Sequence, residues 1–133
     1  MDHLKHLILI DDDNIVVYLT KRIVADTNMV ELTNVFGNGE DALNYLKENL
    51  NNPDALPEII FLDLFMPILD GWQFLEEFNL IKSEISKPIT IYVITSSVSR
   101  EDYDKVKQFN TVSDYIVKPI TKANFIEVIK KVS

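Results

Sequence analysis

Cysteine is missing from this chain of 133 residues, glycine occurs only three times, and the uninterrupted apolar runs span only a few residues each. Without cysteine there is no disulfide framework, no thiolate zinc site and no thiol nucleophile, and a reducing compartment is allowed. Three glycines are too few for a glycine-rich phosphate cradle, and no such loop follows any apolar run. The N-terminal Met1-Asp2-His3-Leu4-Lys5-His6 lacks the apolar stretch of a signal peptide, and nothing elsewhere has the length of a membrane span, so a cytoplasmic location is expected. Basic residues are also scarce. Thirteen Lys and Arg against 21 Asp and Glu leave a net charge of −8, which removes any general attraction for phosphate backbones or anionic lipid. Direct nucleic-acid binding and membrane insertion are not expected.

What is present has the balance of a folded protein, 47% hydrophobic and 26% charged, in a length that suits one domain, residues 1–133. Short apolar runs alternate with longer segments of helical period. Leu7 to Ile10, Ile59 to Leu62, Ile89 to Ile94 and Tyr115 to Val117 are continuous and rich in β-branched residues, as in central strands covered on both faces. Met29 to Phe36 alternates, with Val30, Leu32 and Asn34 on one side and Glu31, Thr33 and Val35 on the other, which suits an edge strand. Five helices are expected between and after these strands. They start at Asp13-Asn14 (stripe Ile15, Leu19, Ile23), Asn38-Gly39 (Leu43, Leu46, Leu50), Asp70-Gly71 with Gln73 at capping-box spacing, Ser99 with Asp102, and Thr121. The segment 49–57, with three Asn and two Pro, reads as a long surface connection. The pattern is an α/β chain of five βα units, which implies a parallel sheet wound with helices on both faces.

In such a sheet, ligands bind beyond the carboxyl ends of the strands, where the strand order reverses. The ends are chemically loaded: Asp11-Asp12-Asp13 after the first strand, Asp63 after the third, Thr95-Ser96-Ser97 after the fourth, and Lys118-Pro119 after the fifth. Asp13 serves equally well as a helix N-cap. If the strand order is 2-1-3-4-5, Asp11 and Asp12 lie beside Asp63, and like charges that close destabilise one another unless a cation sits among them. The available ligands are all oxygens, which favours a hard divalent cation such as Mg²⁺ over zinc or copper. Lys118 suits a phosphoryl-oxygen contact, and the Thr95 hydroxyl can cap a helix or donate to a phosphoryl group.

Asp11-Asp12, the run Phe61-Leu62-Asp63-Leu64-Phe65-Met66-Pro67-Ile68-Leu69-Asp70-Gly71, Thr95-Ser96 and Lys118-Pro119 resemble, in order and spacing, the receiver domain of two-component response regulators. The resemblance covers essentially the whole chain. It implies a flavodoxin-like, five-stranded parallel sheet in the order 2-1-3-4-5, of single-domain type without an output domain. It implies Asp63 as the phosphoacceptor, with the phosphoryl group coming from a phosphohistidine on a sensor histidine kinase or histidine phosphotransfer protein. Asp11, Asp12, Asp63 and the backbone carbonyl of Phe65 would hold Mg²⁺, and Lys118 and Thr95 would contact the phosphoryl group. Thr95 and Tyr115 would act as switch residues that alter the face made by the fourth helix, fifth strand and fifth helix, through which an unknown downstream protein is addressed. Such a domain assists its own phosphorylation and dephosphorylation and is not a turnover enzyme. Phe65 and Ser97 lie where side chains orient or exclude the hydrolytic water, and an aromatic at 65 implies slow self-dephosphorylation.

Gly71 is expected to free the turn into the third helix and Pro67 to stiffen the loop before it. The resemblance also implies a cis Lys118-Pro119 peptide. His3 and His6 lie before or within the first strand, far from the expected pocket, and are read as incidental. The main rival is a haloacid-dehalogenase-like phosphatase, whose motif wants a second Asp two residues after the nucleophile. Asp63 fails that test, because the position is Phe65; Asp11 passes with Asp13, but Ile15 stands where Thr or Val is expected. A receiver cut from a larger hybrid kinase or regulator is the other alternative.

Overall fold

A computed structural model describes residues 5–132. The strands are β1 (Lys5–Ile10), β2 (Val30–Phe36), β3 (Ile59–Leu62), β4 (Thr90–Thr95) and β5 (Val112–Val117). They alternate with α1 (Asn14–Thr27), α2 (Gly39–Glu48), α3 (Gly71–Ile81), α4 (Arg100–Lys107) and α5 (Lys122–Val132). All neighbouring strands are parallel, in the order β2-β1-β3-β4-β5, so the flavodoxin-like arrangement is as expected. The order reverses between β1 and β3.

Alternation along the strands sends side chains to two separate cores. Ile8, Ile10, Ile60, Leu62, Ile91 and Val93 pack with α2, α3 and Val106 of α4. Leu7, Leu9, Ile59, Phe61, Tyr92 and Ile94 pack with Val24 of α1 and Phe125, Val128 and Ile129 of α5. Phe61 anchors the second core, meeting Phe125 and Tyr92 edge-on at 6.0 and 6.2 Å, and a fully buried side chain of this size contributes about 2–3 kcal/mol.

The helix starts follow the expected caps. Asp13 accepts from the amides of Ile15 and Val16, Asn38 from Asp41, and Ser99 from Asp102, while Asp70 and Gln73 form a reciprocal capping box. The 49–57 segment is a series of turns, with Asn52 and Ala55 amides donating to Asn49 and Asn52 carbonyls, pinned by Tyr45 OH on the Ala55 carbonyl at 2.7 Å.

Three expectations fail, each for a packing reason. The buried positions of α1 are Thr20 and Val24, whereas Ile15 and Leu19 of the expected stripe are 70% and 45% exposed. A small residue at 20 lets the helix sit close to the sheet. β5 is an edge strand, half-exposed rather than central, and begins at Val112 with a register slip opposite Ile91 and Tyr92. In β2 the register slips between Leu7 and Ile8, so Asn34 pairs with Ile8 and Val35 with Leu9. That extra residue moves Asn34 to the α2 side and Val35 to the α1 side, the opposite of simple alternation.

Candidate functional site

Ladder hydrogen bonds carry the pairing one residue past the strand ends and thereby fix the residues that follow. The amide of Asp11 donates to Phe36, that of Asp63 to Ile10, and that of Lys118 to Thr95, at 2.9, 2.9 and 2.7 Å. Carboxylate oxygens of Asp11, Asp12 and Asp63 all come within 4.8 Å of one another. Asp11 and Asp63 are buried, Asp12 exposed. Lys118 Nζ reaches Asp11 Oδ2 at 2.8 Å and Asp63 Oδ1 at 3.5 Å. Asp11 Oδ1 accepts from the Asp13 amide and Asp63 Oδ1 from the Leu64 amide, each at 2.9 Å. No described residue donates to Asp63 Oδ2.

Burial, and then the charge of Asp11, push the Asp63 carboxyl up from 3.8 to about 6 against the opposing pull of Lys118 and the Leu64 amide. Burial works against the Lys118 ammonium too, but its bond to Asp11 and the charges of Asp11 and Asp63 outweigh it, and its pKa lies above that of an ordinary lysine. One lysine among three carboxylates leaves negative charge uncompensated.

The loop from Leu64 to Asp70 is held from both sides. The Gly71 amide donates to Leu64 at 2.9 Å, and Leu69 donates to Pro67 at 2.8 Å across a three-residue turn. Ile68 at its centre has φ 70°, a strained conformation for a β-branched residue. Gly71 is needed for close approach and not for an unusual turn: its φ is not positive, and a Cβ there would stand 2.5 Å from the Asp63 carbonyl oxygen. The Lys118-Pro119 peptide is cis, as expected. His3 lies outside the described residues. His6 sits in β1 with its imidazole 3.6 Å from Glu31, at the opposite end of the strands from the acidic cluster.

The family model of the response regulator receiver domain matches residues 7–130. The chain belongs to that family. A two-component response regulator from Cytophaga hutchinsonii superposes on this receiver with a TM-score of 0.85 at 29% identity, over 98% of both chains. The probable methanogenesis regulatory protein FilR2 of Methanothrix harundinacea is 28% identical over 86% of this chain and 72% of its own. The probable C4-dicarboxylate response regulator DctR of Bacillus subtilis is 27% identical over 94% of this chain and 50% of its own. The receiver therefore spans about half the length of DctR. Membership also removes the dehalogenase-like alternative. Receivers are the signalling domains of two-component systems, take phosphate from histidine kinases and typically bind Mg²⁺ at an acidic pocket. The donor set here fits that ion: three clustered carboxylates, all oxygen, with a repulsion that Lys118 does not cancel. No helix among the described residues is long and apolar enough to cross a membrane.

Around the pocket lie contacts the sequence did not announce. Trp72 at the start of α3 is packed edge-to-face with Phe65 at 5.3 Å, and Lys105 Nζ from α4 stands 4.4 Å from its ring centroid. Thr95 is wholly buried, and Tyr115 OH donates to the Ser97 carbonyl at 3.0 Å while its ring meets Tyr103 edge-on. These contacts join side chains of different segments, and no local spacing signals them.

Proposed function

We propose that this receiver accepts a phosphoryl group on Asp63 from a phosphohistidine and signals through a rearrangement of the β4–α4 loop and the α4/β5/α5 face. The observation that carries the reading is the buried Asp63 carboxylate flanked by Asp11, Asp12 and Lys118. A carboxylate oxygen of Asp63 attacks phosphorus; the bond to the donor imidazole nitrogen breaks, and its electron pair leaves on that nitrogen. Such transfer needs in-line positioning and neutralised charge more than covalent help. Lys118 supplies one positive charge at the equatorial oxygens. Asp11, Asp12, Asp63 and the Phe65 carbonyl would hold Mg²⁺, which when bound would supply the rest. The Thr95 hydroxyl donates to a phosphoryl oxygen as transfer proceeds and keeps that bond afterwards, and Tyr115, bonded to the same loop, follows it. The phosphoryl group thus biases two conformations by its differential contacts.

The donor is a sensor histidine kinase or a histidine phosphotransfer protein. Ile15, Phe65, Ile68 and Val98, each at least half exposed, stand on the segments that follow β1, β3 and β4, and an apolar rim beside an acidic pocket suits a protein donor. Phe65, leaning on Trp72, offers no polar group to orient a hydrolytic water, which supports a long-lived phosphoaspartate. Incubation with acetyl phosphate and Mg²⁺, followed by intact-mass measurement, should give a base-labile gain of one phosphoryl group that is absent in Asp63→Asn. No gain, or a gain that survives Asp63→Asn, overturns the reading.

A further inference from the structure

Ser97 lies two residues beyond Thr95, and every one of its polar groups is engaged. Its amide donates to Thr95 Oγ1 at 3.2 Å and its carbonyl accepts from Tyr115 OH at 3.0 Å. Its hydroxyl accepts from the Ser99 amide at 3.1 Å and donates to Asp102 Oδ2 at 2.6 Å, the length of a charge-assisted bond. Asp102 is fixed in turn, because its amide donates to the Ser99 side chain at the start of α4.

The chain of contacts has a directional result at Thr95. A hydroxyl has one proton and two lone pairs. The Ser97 amide occupies a lone pair of Thr95 Oγ1, and no described residue accepts the Thr95 proton, so that proton is left to donate. From this we infer that Asp102 is a positioning residue for phosphoryl transfer: through Ser97 it holds the β4–α4 loop in the form that keeps the Thr95 hydroxyl a free donor. Asp102 touches neither the acidic cluster nor the phosphoryl group. The inference rests on the phosphoryl-transfer reading above and adds to it a residue outside the pocket.

The test follows phosphoryl uptake from acetyl phosphate and Mg²⁺ by intact mass. Asp102→Ala should slow uptake about tenfold, the size of effect expected when one strong orienting bond is lost. Asp102→Asn, whose amide oxygen still accepts from Ser97, should restore most of the rate. Ser97→Ala, which leaves the Ser99 cap in place, should match Asp102→Ala. In a Thr95→Val background, Asp102→Ala should have no further effect, since no hydroxyl remains to be positioned. Mg²⁺ affinity by calorimetry should not change in any of these variants. A rate for Asp102→Ala within about twofold of wild type, or an undiminished loss in the Thr95→Val background, overturns the positioning role and leaves the phosphoryl-transfer reading intact. A wild-type chain that takes up no phosphoryl group overturns both.

Discussion

Asp63 should destabilise the metal-free fold, by an amount that depends on pH. Its carboxyl titrates at about 6 in the folded chain against an ordinary 3.8. The unfolded chain therefore gives up this proton first, and between those two values the folded state holds more protons than the unfolded one. The Asp63 contribution to stability accordingly falls as pH rises from 3.8 to 6 and stays level above. At about 1.4 kcal/mol per pH unit, the gap corresponds to about 3 kcal/mol at pH 7.5. Asn is a neutral stand-in for the protonated acid. The pull of Lys118 is already contained in the value of 6, so nothing further is subtracted for that pair. In urea unfolding with EDTA present, Asp63→Asn should be more stable than wild type by about 3 kcal/mol at pH 7.5 and by less than about 1 kcal/mol at pH 4. Other titrating groups are common to both proteins and cancel. Adding Mg²⁺ at pH 7.5 should raise the wild-type midpoint and close most of the gap, because binding to the folded state alone stabilises it. A difference between the proteins that does not vary with pH, or an Asn variant less stable at pH 7.5, would refute the electrostatic account of the cluster.

Phe65→Asn should shorten the phosphoaspartate lifetime by roughly tenfold, or about 1.4 kcal/mol of barrier, read as loss of the base-labile mass with time; an unchanged lifetime removes Phe65 from any role in excluding water. Ile68→Gly should raise stability by about 1 kcal/mol by releasing a left-handed backbone, with little packing lost from a side chain 71% exposed; a lower urea midpoint contradicts the strain. Burial works against the Glu58 carboxylate, but Lys87 at 2.6 Å and the His6 amide outweigh it and hold its pKa below 4.5. Its contribution is therefore present above the ordinary glutamate range and lost as pH falls through the lowered value. Glu58→Gln should cost about 1 kcal/mol at pH 7 and nothing near pH 2, and an equal cost at both would assign the loss to packing.

The two kinds of expectation drawn from the sequence fared differently because different forces set them. Which segments form strands and helices depends on local apolar runs and caps, and Asp13, Asn38, Asp70 and Ser99 all cap as their spacing implies. Which face of a helix is buried depends on what it meets. α1 offers Ile15, Leu19 and Ile23 as its most apolar line, yet only Ile23 of the three packs against the core, and the fully buried positions are Thr20 and Val24, since fit against Ile94 and its neighbours outweighs the transfer energy of a larger side chain left partly in water. The slips in β2 and β5 are likewise products of strand pairing and leave no mark on single-residue polarity.

The acidic cluster escaped these errors for a geometric reason. Asp11, Asp63, Thr95 and Lys118 are placed by where strands end, and ladder hydrogen bonds hold three of those ends one residue further on. A helix can rotate, or an edge strand slip by one residue near its start, without moving them. The same logic explains what could not be seen. Ser97, Asp102, Trp72 and Lys105 owe their contacts to the placement of α4, and among the described residues α4 buries only Val106 fully. A helix anchored by one fully buried apolar residue, two ring contacts at its surface and a few polar tethers is the element most easily shifted when a phosphoryl group arrives. The polar tethers at its start should then be the first bonds to change, and Ser97→Ala should lower the hydrogen-exchange protection of α4 more than that of α3, whose Trp72, Phe74, Leu75 and Phe78 are all buried. Equal loss of protection in both helices would mean that α4 is no more loosely held than the rest of the fold.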